Sequence, residues 1–194
     1  MVEMKKLTII ISGMPGSGKT TIAKTIAKKY GLKYLCGGDA LKEMAIARGF
    51  KPGGVEWWET EEGRRFFAER ERNPEFDKEV DRILLEKAKQ GGVVITTRTL
   101  PYLGAPGIKI WLAVSQEERA RRIAGRDKIH FEQALEKIKE RDSKEKAIYK
   151  RYYGFELDVD LSPFDFIIET DKLAPRQTAA ETIKFIEAQK KIKS

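Results

Sequence analysis

The chain has 194 residues, with 38 lysines and arginines against 30 aspartates and glutamates, a formal charge of +8. That length suits one domain carrying mobile lobes, and 41% hydrophobic content builds a core, which excludes a disordered chain. One cysteine (Cys36) and one histidine (His130) exclude an internal disulfide and a His/Cys zinc cluster.

Taken in chain order, the charged opening Met1 to Lys6 gives way to Leu7-Thr8-Ile9-Ile10-Ile11-Ser12, a β-branched run that predicts a buried parallel strand. Its apolar core is too short for a signal peptide or a membrane span, so the expected location is cytoplasmic with no membrane partner. After a glycine-rich loop, Ile22, Ala23, Ile26, Ala27 and Tyr30 recur at helical spacing and Gly31 stops the helix. Lys33 to Cys36 predicts a second strand, Gly37-Gly38 a turn, and Asp39 the cap of a helix to Arg48. Residues 51–73 read as irregular around Pro52-Gly53-Gly54, then helical through Trp57, Trp58, Phe66 and Phe67. Asn73-Pro74 opens a helix to about Gln90. Val93 to Thr97 and Ile108 to Val114 predict the third and fourth strands, and Ser115 to Glu118 has the form of a capping box. A basic stretch from Glu117 to Tyr153 predicts two helices parted near Gly125 to His130. Phe164 to Ile168 gives a fifth strand and Pro175 starts the last helix. This alternation predicts a single α/β domain, a parallel sheet with helices on both faces.

The strongest chemical signal is Gly13-x-x-x-x-Gly18-Lys19-Thr20, set between a strand and a helix. Glycines there let backbone N–H groups turn onto phosphate oxygens at a helix N-terminus. Gly13, Met14, Pro15, Gly16, Ser17, Gly18, Lys19, Thr20 and Thr21 are therefore the expected ATP-binding residues. Lys19 would reach the β- and γ-phosphates, and the Thr20 hydroxyl would ligate Mg²⁺. Thr170-Asp171-Lys172-Leu173 is not a guanine-reading motif, and Val93 to Ile95 does not run into the acid of a motor ATPase. Small size and a basic helical segment favour a small-molecule kinase.

With these features in place, the chain resembles the archaeal-type cytidylate kinases over nearly its whole length. The resemblance rests on residues 11–24 (Ile-Ser-Gly-Met-Pro-Gly-Ser-Gly-Lys-Thr-Thr-Ile-Ala-Lys), 37–45 (Gly-Gly-Asp-Ala-Leu-Lys-Glu-Met-Ala) and 73–82 (Asn-Pro-Glu-Phe-Asp-Lys-Glu-Val-Asp-Arg). Arg98, residues 139–146 (Lys-Glu-Arg-Asp-Ser-Lys-Glu-Lys), the Pro163 to Thr170 run and Leu173-Ala174-Pro175 complete it. It implies a P-loop NTPase fold with a five-stranded parallel sheet, an acceptor-binding lobe over about 38–90 and a helical lid over about 117–153. It also implies ATP- and Mg²⁺-dependent phosphoryl transfer to a nucleoside monophosphate, CMP or dCMP. On the matching positions, Arg126 and Arg141 resemble lid arginines that meet the transferring group, joining Lys19 as catalytic residues. Lys42 and Arg98 fall on acceptor-phosphate ligands, Asp165 on an aspartate near the acceptor sugar, and Asp39 on the acceptor side.

Two positions depart from the family. Thr96-Thr97 stands where Asp/Glu-Gly usually precedes the arginine, and Gly37 or Gly38 replaces a small polar residue. The Trp57-Trp58 and Phe66-Phe67 pattern has no counterpart recognised there. The expected partners are thus a nucleotide donor and a small phosphorylated acceptor, with a monomer expected and a homodimer as its alternative. A kinase for another acceptor (another nucleotide, dephospho-coenzyme A or a metabolite) stays open, with Asp39 as the substitute base an alcohol would need. A nucleic-acid-associated NTPase is the remaining alternative, permitted by the net charge but without a binding motif.

Several other residues have plain readings. Arg141, Lys144, Ile148 and Arg151 share a helix face that serves either as a phosphate-contacting lid or as a solvated, ion-paired surface. At most one of Trp57 and Trp58 can face a ligand, and core packing is the default. Asp77 and Asp81 are i, i+4 partners that suit either acceptor hydroxyls or a solvated surface. Cys36 reads as a packing residue and His130 as a surface or cap residue. Abundant Lys and Glu with a single asparagine, Asn73, fit a thermostable protein.

Overall fold

The β-branched run forms β1 (Thr8–Gly13), whose six residues are all buried, in a computed structural model that describes residues 7–54 and 57–192. It pairs in parallel with β3 (Val93–Thr96) on one side and β4 (Ile108–Ala113) on the other. β2 (Lys33–Cys36) and β5 (Phe166–Glu169) form the edges, giving the order β2-β3-β1-β4-β5. All four pairings are parallel, so every connection crosses over and every carboxyl end lies at one edge of the sheet.

Alternate residues of β1 face opposite layers. Ile9 and Ile11 pack with Ile22, Ala23 and Ile26 of α1 (Lys19–Tyr30) and with Ala179 and Ile186 of α7 (Pro175–Ile192). Ile10 packs in the other layer with Leu41 of α2 (Gly37–Ala47), Phe66 of α3 (Glu61–Arg70), and Phe76, Val80 and Leu84 of α4 (Glu75–Gln90). Fully burying one such isoleucine contributes about 2 kcal/mol. On α4 the buried apolar positions repeat every four residues, and Asp77 and Asp81 repeat beside them, also buried. A solvated surface is therefore the wrong reading of those two acids.

Three local expectations are revised. Gly37-Gly38 is no turn: α2 starts at Gly37 directly after the extended Cys36, and Asp39 lies in its first turn instead of capping it. Trp57–Glu59 is a short 3-10 turn, and the helix behind it starts only after Thr60, whose Oγ1 accepts from Gly63 N at 3.2 Å. The capping box of α5 (Gln116–Asp127) is half formed. Ser115 Oγ accepts from Glu118 N, but Ser115 N donates to Asp171 Oδ1, and the Glu118 carboxylate pairs with Arg122. Gly125 lies inside α5. The break before α6 (Phe131–Tyr153) falls at Lys128, within the expected interval, in a left-handed conformation with φ 55°. α5 and α6 pack as a hairpin through Ala120, Ala134 and Ile138. Among the described residues no helix is long and apolar enough to cross a membrane.

Candidate active site

The loop between β1 and α1 lies at the carboxyl end of the central strand, flanked by two clefts. Its glycines are required where they stand. Gly13 has φ 149°, and a Cβ there would come within 2.8 Å of Leu112 O and Ser17 Oγ. Gly18, with φ 87°, caps α1 with no side chain to offer the helix N–H groups, and no acid occupies the first turn. Those N–H groups and the positive end of the dipole are thus left for an anion. Met14 is buried in the core, so it can address a ligand through its backbone alone.

Lys19 folds back in this state, donating to Met14 O at 2.8 Å and Ser17 Oγ at 3.3 Å. Burial, reinforced by the Arg98 and Arg141 guanidiniums, pushes its pKa well below the usual lysine range. A phosphate beside it would reverse that and restore the charge. Gly16, Lys19, Thr20, Ile123 and Arg126 line both clefts, so the loop and one α5 arginine form the partition between them. The exposed Thr20 hydroxyl suits a hard cation held jointly with phosphate oxygens. Among the described residues no cluster of three or more His, Cys, Asp or Glu could hold a metal without such oxygens.

The first cleft lies under α2, α4 and α6. Arg98, just past β3, donates from Nη1 to Glu145 Oε2 at 2.9 Å, and its buried Nε has no hydrogen-bond partner. Glu145 is 1% exposed and also lies 3.7 Å from Arg141 Nε. Burial alone would push this acid up, but the Arg98, Arg70 and Arg141 guanidiniums hold it down to about 2. Lys19, Arg98 and Arg141 therefore gather around one carboxylate, leaving a surplus of positive charge at the partition. Farther in, Arg70 clasps Asp77 through Nε and Nη2 at 3.0 and 2.6 Å. Asp81 accepts from Thr99 Oγ1 and Tyr153 OH. Burial is the main cause that raises its pKa to about 6.

The second cleft runs along Ser17 to Ile22, Arg122 and the Leu173-Ala174-Pro175 turn, and it includes Thr21. Arg122 is a residue the sequence reading missed. It donates to Thr170 O at 2.7 Å and to Thr170 Oγ1 at 3.3 Å, joining α5 to the turn after β5. Arg119 was also missed. It is buried, clasps Asp142 of α6, and donates to Pro15 O at 3.1 Å, tying the glycine loop to the α5–α6 hairpin.

The structure brings Asp39, Arg98, Arg126 and Arg141 to the first cleft with the loop residues Pro15, Gly16, Lys19 and Thr20. Two expected acceptor residues are elsewhere. Lys42 follows the cleft-facing Leu41 by one helical step, which turns it away. Its Nζ donates to Gly53 O and Gly54 O. Asp165 precedes β5 and so lies at the amino end of the sheet, opposite the clefts, where its Oδ2 accepts from Lys109 N at 2.7 Å. On the α6 face, Lys144 pairs with Glu140, Ile148 is core and Arg151 is exposed, so Arg141 is the member of that set in this cleft. Cys36 lines the cleft wall, half-buried, instead of packing in the core.

A profile of the cytidylate kinase-like family matches residues 8–172. The chain is 40% identical over 171 residues to a cytidylate kinase of Methanocaldococcus jannaschii, covering 86% of this chain and 89% of that one. It is 39% identical over 171 residues to a cytidylate kinase of Pyrococcus horikoshii, covering 88% and 83%. Among solved structures, shikimate kinase from Acinetobacter baumannii superposes with a TM-score of 0.60 at 20% identity, covering 97% of each chain, which is a likeness of fold. With the glycine loop, the arginine past β3 and the α5–α6 hairpin all inside the matched span, this chain belongs to the cytidylate kinase-like family.

Proposed function

We propose that the protein transfers the γ-phosphoryl group of ATP to a nucleoside monophosphate, CMP or dCMP, giving ADP and the diphosphate. The observation that carries this reading is the convergence of Lys19, Arg98 and Arg141 on Glu145 beside the glycine loop. Such a surplus suits a dianionic acceptor and offers little to a neutral alcohol. The acceptor's phosphate oxygen is already ionised, so attack needs positioning and charge neutralisation more than a base. One phosphorus–oxygen bond to ADP breaks as one to the acceptor oxygen forms. The Thr20 hydroxyl would hold Mg²⁺, which when bound neutralises charge on the donor phosphates. Arg126, lining both clefts, and Arg141 act as lid arginines on the charge that builds between donor and acceptor. Residues 38–90 form the acceptor lobe and 117–153 the lid, the hairpin that Arg119 couples to the loop. The second cleft takes the donor nucleoside.

For the base, Asp77 and Asp81 line the first cleft with carboxylates. These accept from the exocyclic amine of cytosine and repel the carbonyl that uracil carries there. The relatives named cytidylate kinase support the same acceptor. ADP release measured with ATP, Mg²⁺ and a panel of CMP, dCMP, UMP, AMP, GMP and shikimate tests the proposal. CMP or dCMP should lead the panel, and shikimate turnover without any monophosphate turnover would refute it.

A further inference from the structure

The 3-10 turn sends its two indoles to different tasks. Trp57 is 1% exposed, donates its indole N–H to Lys51 O at 2.7 Å and packs beside Phe66. Trp58 is half-buried and lines the same cleft as Arg98 and Arg141. Its ring meets that of Trp57 near a right angle with centroids 5.0 Å apart. The Arg70 and Arg141 guanidiniums lie 5.6 and 5.8 Å from its centroid. Held by three neighbours, the ring is fixed in place before any ligand arrives.

We infer that Trp58 is the platform on which the acceptor's base stacks, an inference that rests on the nucleoside monophosphate reading above. Arg141 sets the scale. The same guanidinium group stands beside Glu145 at the phosphate end and over the indole of Trp58. Phosphate cluster and indole are therefore one side chain apart, within the span of a single nucleotide. The same cleft is lined by Leu41 and Val80 as apolar wall, and by Asp77 and Asp81, which would receive an exocyclic amine. Tyr149, the other aromatic residue lining the cleft among those described, is 3% exposed and lies against Glu145 and Arg98. Trp58, half-buried, is thus the cleft aromatic with ring surface left to offer, and a base would stack there beside or in place of the Arg141 guanidinium. Because every base has a π-face, the indole supplies affinity while the carboxylates supply selection. This assigns a role to the aromatic pattern without a counterpart recognised in the family.

Titration with CMP in the absence of ATP should quench the tryptophan emission of the wild-type protein. Trp58→Phe should lose most of that quench, although Trp57 and Trp111 remain. Trp58→Leu should raise the CMP KM about tenfold, as expected for loss of one base–aromatic stack. The ATP KM should change little, and Trp58→Phe should fall between. Ribose 5-phosphate, with the phosphate but no base, should inhibit all these proteins equally. An unchanged CMP KM in both variants, or equal losses for CMP and ribose 5-phosphate, would overturn the platform while leaving the kinase intact. A wild-type protein that phosphorylates no monophosphate defeats the functional reading itself, and the platform with it.

Discussion

Arg98 Nη1 lies 2.9 Å from Glu145 Oε2, joining the turn after β3 to the middle of α6 across 47 positions of sequence. Because Glu145 is 1% exposed, this pair fixes the arginine in the first cleft, the proposed site of the acceptor phosphate. Glu145→Gln keeps the shape and removes the charge, leaving buried guanidiniums unpaired. It should lower stability at pH 7 by about 3 kcal/mol in urea unfolding. Glu145 is depressed to about 2, so its contribution is fully present above the ordinary glutamate range and fades as pH falls toward 2. The gap between wild type and variant should therefore narrow below about pH 4.5. Equal stability at pH 7 would contradict the arrangement.

Lys19 touches Met14 O and Ser17 Oγ without entering the apolar core. Lys19→Ala should therefore leave the circular dichroism spectrum and melting behaviour nearly unchanged. Phosphoryl transfer should fall by at least 10²–10³-fold, roughly the loss for one group that stabilises transition-state charge. Turnover close to wild type would remove the glycine loop from the mechanism.

Arg141 stands 3.7 Å from Glu145 and lines the first cleft but not the second, which is lined by Arg122 and Arg126 and is the proposed donor site. Arg141→Ala should lower kcat by roughly 10²-fold while ATP affinity changes little, the pattern of a contact realised in the transition state. Loss of ATP affinity at unchanged kcat would mark it instead as a donor ligand.

The parts of this site legible in the sequence were those that local chemistry dictates. A β-branched run, glycines at tight turns and Lys19-Thr20 opening a helix carry their meaning within a few residues, as Gly13 and Gly18 show. Glu145 carries no such mark, since it has the same local setting as the exposed Glu140 five residues earlier on α6. Only Arg98, brought from another element, makes it a buried anchor. Arg119 and Arg122 were hidden for the same reason, since their partners Pro15 and Thr170 lie in distant loops. Lys42 is turned away by one helical step, and Asp165, assigned by resemblance alone, stands before β5 at the end of the sheet opposite the clefts. The departure at Thr96-Thr97 looked like the loss of an acid. The fold supplies Asp77, Asp81 and Glu145 to that cleft from other helices.

Asp81 gives a second pH signature, of opposite sign. Burial raises its pKa to about 6, above the ordinary aspartate value, so the folded protein binds that proton more tightly than the unfolded chain. Between roughly pH 4 and pH 6 this group alone makes stability fall as pH rises, by on the order of 2–3 kcal/mol. Asp81→Asn cannot titrate, so its stability relative to wild type should improve across that interval. A difference independent of pH, measured by urea unfolding at each pH, would show that Asp81 ionises as it does in water.

An acceptor held through its phosphate in the cleft at Arg98 must carry that phosphate before it can react. The most direct measurement offers cytidine and CMP, at equal concentration with ATP and Mg²⁺, and follows products by anion-exchange chromatography. CDP and ADP should form in equal amounts from CMP and no CMP should form from cytidine, with Arg98→Ala raising the CMP KM and sparing that of ATP. Phosphorylation of cytidine with CMP left untouched would contradict that requirement.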